Sequence, residues 1–153
     1  MQTKKGQKGF SLIELLIVVA IIGIVAAIAI PNLLASRRAA NEASAISSMR
    51  TIGTAESTYA STLGAGVYGD FGDLEAASLV DTKLANTDAT NLTSGYYFTI
   101  TGPDGSGYNT NATSSSANVG SRRFSSDESG IIYADTANPT TAQTVTSGSP
   151  IGN

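Results

Sequence analysis

The chain has 153 residues, twelve acidic against nine basic side chains, a formal net charge of −3, and no Cys, His or Trp. That length suits one domain plus an anchor. The composition excludes disulfides, thiolate metal sites and thiol nucleophiles, removes the commonest general base and transition-metal ligand, and disfavours nucleic acid as a main partner, which would want a basic face.

Residues 1–9 are short, polar and basic, with Lys4, Lys5 and Lys8. Gly9 to Pro31 follows, with 21 residues between them in which only Ser11, Glu14 and Gly23 interrupt apolar character. A bilayer core takes about 20 apolar residues in helix, so the stretch fits one crossing. The lysines place its start on the cytoplasmic side. Glu14 is the anomaly, because a carboxylate within a membrane segment costs at least about 2.5 kcal/mol and marks a functional position with a partner. A secretory signal peptide, with Ala27-Ile28-Ala29 as a small-x-small cleavage pattern, and a plain signal anchor are the competing readings. The run exceeds the roughly 7–15 residues of a signal-peptide core, and neither reading gives Glu14 a role.

The string Lys5-Gly6-Gln7-Lys8-Gly9 followed by Phe10-Ser11-Leu12-Ile13-Glu14 and the apolar run to Ile24 resembles the N-terminus of type IV prepilins and type II secretion pseudopilins. The resemblance covers about residues 5–34. It implies cleavage after Gly9 by a prepilin peptidase, N-methylation of Phe10, a glutamate at the fifth mature position (Glu14) and a proline at the twenty-second (Pro31). It implies an inner-membrane subunit that polymerises into a helical homo-oligomeric filament, served by an assembly platform, an assembly ATPase and, indirectly, an outer-membrane secretin. A type IV pilus subunit is the first reading and a major pseudopilin the alternative. A membrane-tethered surface module that binds a ligand through its sheet and tail is the second alternative. Loss of the leader removes three lysines and leaves six basic residues against twelve acidic. Many members of the family close a C-terminal loop with a disulfide; this chain has no cysteine with which to do so.

The expected organisation is residues 1–9 as leader, 10–31 as the transmembrane and filament-assembly segment, and 32–153 as a globular domain. Pro31 lacks an N–H and is expected to bend or interrupt the helix, and Gly23 weakens it. Gly23 to Pro31 is thus a weak segment, expected to lose helical bonds in a filament and keep more of them in an isolated subunit. Gly23 and Ala27 form a small-xxx-small pair that permits close helix approach. Arg37 and Arg38 are read as head-group contacts. Beyond Pro31, Ile46, Met49, Ile52, Tyr59 and Leu63 recur at helical spacing with a gap at Ala55 and Glu56, an amphipathic stripe suited to packing on a sheet. A helix over residues 10–63 would be about 80 Å long, and Gly64-Ala65-Gly66 ends it.

Residues 73–79 read as a short helix started near Asp70 or Gly72. Tyr96 to Thr101 is the best strand, a turn follows over residues 102–107, and a polar strand over 108–113 reads as an edge that fades into loop. Strands at 122–125 and 130–134 flank a hairpin turn, and the tail from Asp135 reads as irregular surface. The expected fold is α+β, a long N-terminal helix packed on a small antiparallel sheet of roughly three or four strands. Asp127, Glu128 and Asp135 lie near the last hairpin and supply oxygens suited to calcium; the resemblance to the major pseudopilin points the same way, although acidic surface runs are commonly just solvated. The sequence holds no nucleophile–base pair and no phosphate-binding loop, so no catalytic site is expected and no other cofactor.

Overall fold

The computed structural model describes residues 9–85, 92–136 and 148–151. It divides into two compact units, the first ending at Ser36 and the second beginning at Arg37. The first unit is helical from Leu12 onward, and the second holds all the remaining elements.

Helix α1 spans Leu12–Thr62. Its second half is rich in Ala, Ser and Thr, and the hydroxyls fold back on the helix. Thr54, Ser57, Thr58 and Thr62 each donate to the carbonyl four residues earlier, at 2.7–2.9 Å, which satisfies them without leaving the helix face. The helix closes where glycine predicts. The Gly64 and Gly66 amides donate to Tyr59 and Ala60 carbonyls, and Ala65 and Gly66 adopt positive φ.

Helix α2 covers Phe71–Ala76, shorter than the expected 73–79 and begun by Asp70. Asp70 and Asp73 form a reciprocal capping box, each carboxylate accepting the other's backbone N–H at 2.9 and 3.1 Å. The helix buries Phe71 and Leu74 and stops near Ser78, whose φ is +56°.

The sheet has five strands, not three or four, in the order β1-β2-β3-β4-β5: Tyr96–Thr101, Asn109–Ser114, Arg123–Asp127, Ile132–Asp135 and Ser149–Pro150. Every neighbouring pair is antiparallel. Two expectations are corrected here. The polar strand is no edge: β2 lies between β1 and β3, and five of its six residues are buried. It pairs on both sides, and its core-facing positions carry small side chains. Ala112 stands between Phe98 and Phe124 in register, giving two rings room beneath the helix. The irregular tail also contributes a strand. Ser149 and Pro150 pair with Ala134 and Tyr133, where a residue without an N–H is tolerated at a sheet edge. Residues 137–147 of that tail lie outside the described residues.

The core joins Ala45, Met49, Ile52 and Ala55 of α1, Phe71 and Leu74 of α2, and Tyr96, Phe98, Ala112, Phe124 and Ile132 of the sheet. The expected stripe is therefore half right. Met49 and Ile52 are buried, Leu63 is exposed, and the supposed gap at Ala55 and Glu56 is among the most deeply buried parts of the helix. Tyr96 is fully buried and its hydroxyl donates to the Arg122 carbonyl at 2.7 Å. A Cβ on Gly120 would collide with that hydroxyl and the ring carbons behind it. Gly120→Ala is accordingly expected to destabilise the domain by about 2 kcal/mol through overpacking, read as a lowered unfolding temperature by near-ultraviolet circular dichroism in detergent. A melting temperature equal to wild type would refute it.

Candidate functional site

The N-terminal segment is built from its sequence in a simple way. Gly9, Phe10 and Ser11 precede the helix, and α1 begins at Leu12. A helix leaves its first N–H groups without intrahelical partners. Ser11-Leu12-Ile13-Glu14 has the S-x-x-E spacing of a capping box, and one half of that box is present: the Ser11 N–H donates to Glu14 Oε2 at 2.8 Å. In the single chain the Glu14 carboxylate therefore closes its own helix. The sequence reading gave Glu14 a partner and no role in its own helix; the capping spacing was there to be read.

Phe10 is 93% exposed, and the apolar side chains from Leu12 to Leu34 stand open around the helix. Among the described residues this is the one helix long and apolar enough to cross a membrane, and none of its most apolar stretch is buried. A helix apolar on every face needs lipid or other helices around it. Gly23 has open space where a Cβ would be, so a second helix could approach its backbone. Pro31 does not interrupt the helix, which runs through it unbroken. Proline withholds one intrahelical donor there. One residue on, the Asn32 side chain donates to the Ile28 carbonyl at 3.2 Å.

In the second unit, α1 presents two buried glutamates that the sequence reading missed. Glu42 accepts the Ser121 N–H at 2.8 Å, the Ser121 hydroxyl at 2.7 Å and Arg122 Nε at 2.8 Å. Arg122 also lies over the Phe124 ring, 5.5 Å from its centroid. Burial pushes the Glu42 carboxyl up, but the Ser121 hydroxyl and amide and the Arg122 guanidinium outweigh it and hold the group below the usual carboxylate range. Asn41 donates to the Val119 carbonyl at 2.9 Å beside it. Arg38 reaches Asn118 at 3.4 Å, so it touches its own domain. Glu56 is the second buried glutamate. A helical periodicity that admitted charged residues to core positions would have found both.

The three candidate calcium ligands are dispersed. Asp127 Oδ1 accepts the Ser129 N–H and hydroxyl inside the β3–β4 turn. Glu128 leans over Gly107. Asp135 pairs with Arg123 at 2.6 Å, at the far end of the same hairpin. Among the described residues no group of three His, Cys, Asp or Glu side chains is placed to hold a metal ion.

Residues 4–30 match the family model described as the prokaryotic N-terminal methylation motif. Over 38 residues the chain is 66% identical to a type IV wide pilus major component, PilA4, of Thermus thermophilus, which covers 25% of this chain and 29% of that one. Over 52 residues it is 46% identical to the type IV major pilin protein PilA of Myxococcus xanthus, covering 34% and 24%. Over 28 residues it is 82% identical to a fimbrial protein of Pseudomonas aeruginosa, covering 18% of each. The chain thus matches less than a third of the length of these relatives.

Proposed function

We infer that this chain, a member of the type IV pilin family, is a structural subunit of a type IV pilus. The observation that carries the inference is the exposed apolar N-terminal part of α1, Leu12 to Leu34, with a single carboxylate in its first turn. Such a helix is stable in a membrane and again when surrounded by copies of itself. The names of the relatives, all pilus or fimbrial proteins, favour a pilus over a secretion pseudopilus.

In this reading the precursor inserts in the inner membrane with its lysines in the cytoplasm, and a prepilin peptidase cuts after Gly9. The new amine at Phe10 is methylated and keeps its charge. An assembly platform and ATPase then extract the subunit into a homo-oligomer that leaves through a secretin. Glu14 exchanges the Ser11 N–H for the Phe10 amine of a neighbouring subunit. Gly23 and Pro31 mark the part of the helix that gives way on packing, since each weakens the regular helix there.

The processing step is tested by mass analysis of the mature N-terminus from sheared surface material. The expected terminus is N-methylated Phe10, and Gly9→Val is expected to leave uncut precursor in the membrane. A terminus at Ile30, behind Ala29, would instead mean removal of a signal peptide.

A further inference from the structure

Glu56 is 0% exposed and lies near the end of α1. One oxygen, Oε2, accepts the Gly69 N–H at 3.0 Å; the other, Oε1, has no hydrogen-bond partner. An ionised carboxylate wants several donors, and burying one with a single bond is unfavourable. The surroundings add to this. From α2 and the residue before it, Asp73 and Asp70 act on Glu56 as like charges, and their capping box fixes both carboxylates in place. From the sheet side comes Tyr108, whose hydroxyl lies beside Gly53 one turn earlier on α1 and whose ring packs on Tyr68, 4.9 Å between centroids. Burial and the nearby Glu56 push the Tyr108 hydroxyl up in turn. Among the described residues, the groups acting on Glu56 are the Gly69 N–H, Asp73 and Asp70, with no cation.

The Gly69 bond is also a mechanical link. It ties α1 to the turn that leads into α2, and α2 brings Phe71 and Leu74 into the core. We propose that Glu56 is a proton-operated latch: protonated, it pins residues 64–80 to α1, and ionised, it lets that segment loosen while the sheet stays folded. The Gly69 N–H favours the ionised carboxylate, but burial, with Asp73 and Asp70 adding to it, outweighs that one bond and raises the Glu56 carboxyl from its ordinary range to about 7, so the cost of the buried charge opens the latch as pH rises through neutrality. The sign follows from linkage. An acid whose folded-state pKa is raised favours the folded arrangement at low pH and loses that contribution as the group ionises.

Hydrogen exchange on the full chain in detergent micelles tests this, with rates corrected for the intrinsic pH dependence of exchange. Amide protection over residues 64–80 is expected to fall at least tenfold between pH 5.5 and 8.5, while β1 to β3 keep theirs. Glu56→Gln retains the shape but cannot ionise, and its protection should not vary across that range. Protection that is flat in the wild type, or that falls equally in Glu56→Gln, would overturn the proposal. Should Glu56→Gln not fold, the carboxyl 13C shift of Glu56 in the wild type decides. A midpoint near 7 supports the latch, and one below about 5, the ordinary range of the group, overturns it.

Discussion

Glu14→Ala is expected to leave synthesis, membrane insertion and cleavage after Gly9 intact while reducing sheared surface filaments by at least about tenfold. The carboxylate sits in a segment where a charge costs at least about 2.5 kcal/mol, and it needs a partner wherever it is. In the single chain the Ser11 N–H supplies one hydrogen bond to Oε2. That bond closes the helix but leaves the charge uncompensated. No basic residue lies between Gly9 and Pro31, so under the proposed processing the cation available at this depth would be the amine freed at Phe10. A subunit docked at the wrong height leaves an amine and a carboxylate unpaired among apolar helices, and this mismatch would set the axial register. Glu14→Gln separates the two roles, because it keeps an oxygen for the Ser11 N–H and loses the charge. It is expected to cap the helix and still fail to assemble. Filaments of normal yield from Glu14→Ala would remove charge pairing as the register device and favour a tethered, monomeric module. Filaments from Glu14→Gln alone would mean that the hydrogen bond is what assembly requires.

Glu42→Ala is expected to cost about 2 kcal/mol of domain stability, the scale for losing hydrogen bonds to a charged group whose partners keep access to water. Three bonds are lost, but Ser121 is exposed and the Arg122 side chain keeps 39% exposure, so water takes up part of what the carboxylate held. Against a total of roughly 5–15 kcal/mol for a domain, this lowers the denaturant midpoint by a large fraction. The measurement is urea unfolding of the full chain in detergent, and a midpoint equal to wild type would contradict the clamp. The pH dependence carries the opposite sign to that of Glu56. The Glu42 carboxyl is depressed, so its contribution is present above the ordinary value of 4.5 and is lost as pH falls through its folded-state value. Acid therefore weakens the attachment of α1 to the loop before β3, and alkali weakens its attachment to the turn before α2. A Glu42→Gln variant should lose the acid limb of the stability profile and keep the other.

The apolar run from Phe10 to Ile30 and the close of α1 at Gly64 to Gly66 were readable from local sequence. The apolar run, the glycine and glutamate at its start and the glycines that end the helix act through backbone geometry and transfer energy, both local properties of the chain. The capping role of Glu14 belongs to the same class, being a spacing of three residues. The sheet was legible as hairpins, because turn residues stand between runs of strand-forming ones, but its order was not. A strand of Asn, Thr, Ala and Ser reads as an edge by composition. Its burial comes from Phe98 on one side and Phe124 on the other, and those partners are set by pairing.

Sequence by itself determined the membrane-length helix, the position of its single acid, the likeness to prepilins and the α+β class. Each rests on periodicity, length or a motif within a few dozen residues. Tertiary structure alone decided that β2 is an interior strand, that the tail adds a fifth strand and that Glu42 and Glu56 are buried residues with opposite electrostatics. Ser121 and Arg122 lie 79 and 80 positions from Glu42 in the chain. Whether a buried glutamate is clamped as a carboxylate or driven toward its neutral form depends on which donors the fold brings to it. Glu42 meets an amide, a hydroxyl and a guanidinium, whereas Glu56 meets one amide and two aspartates.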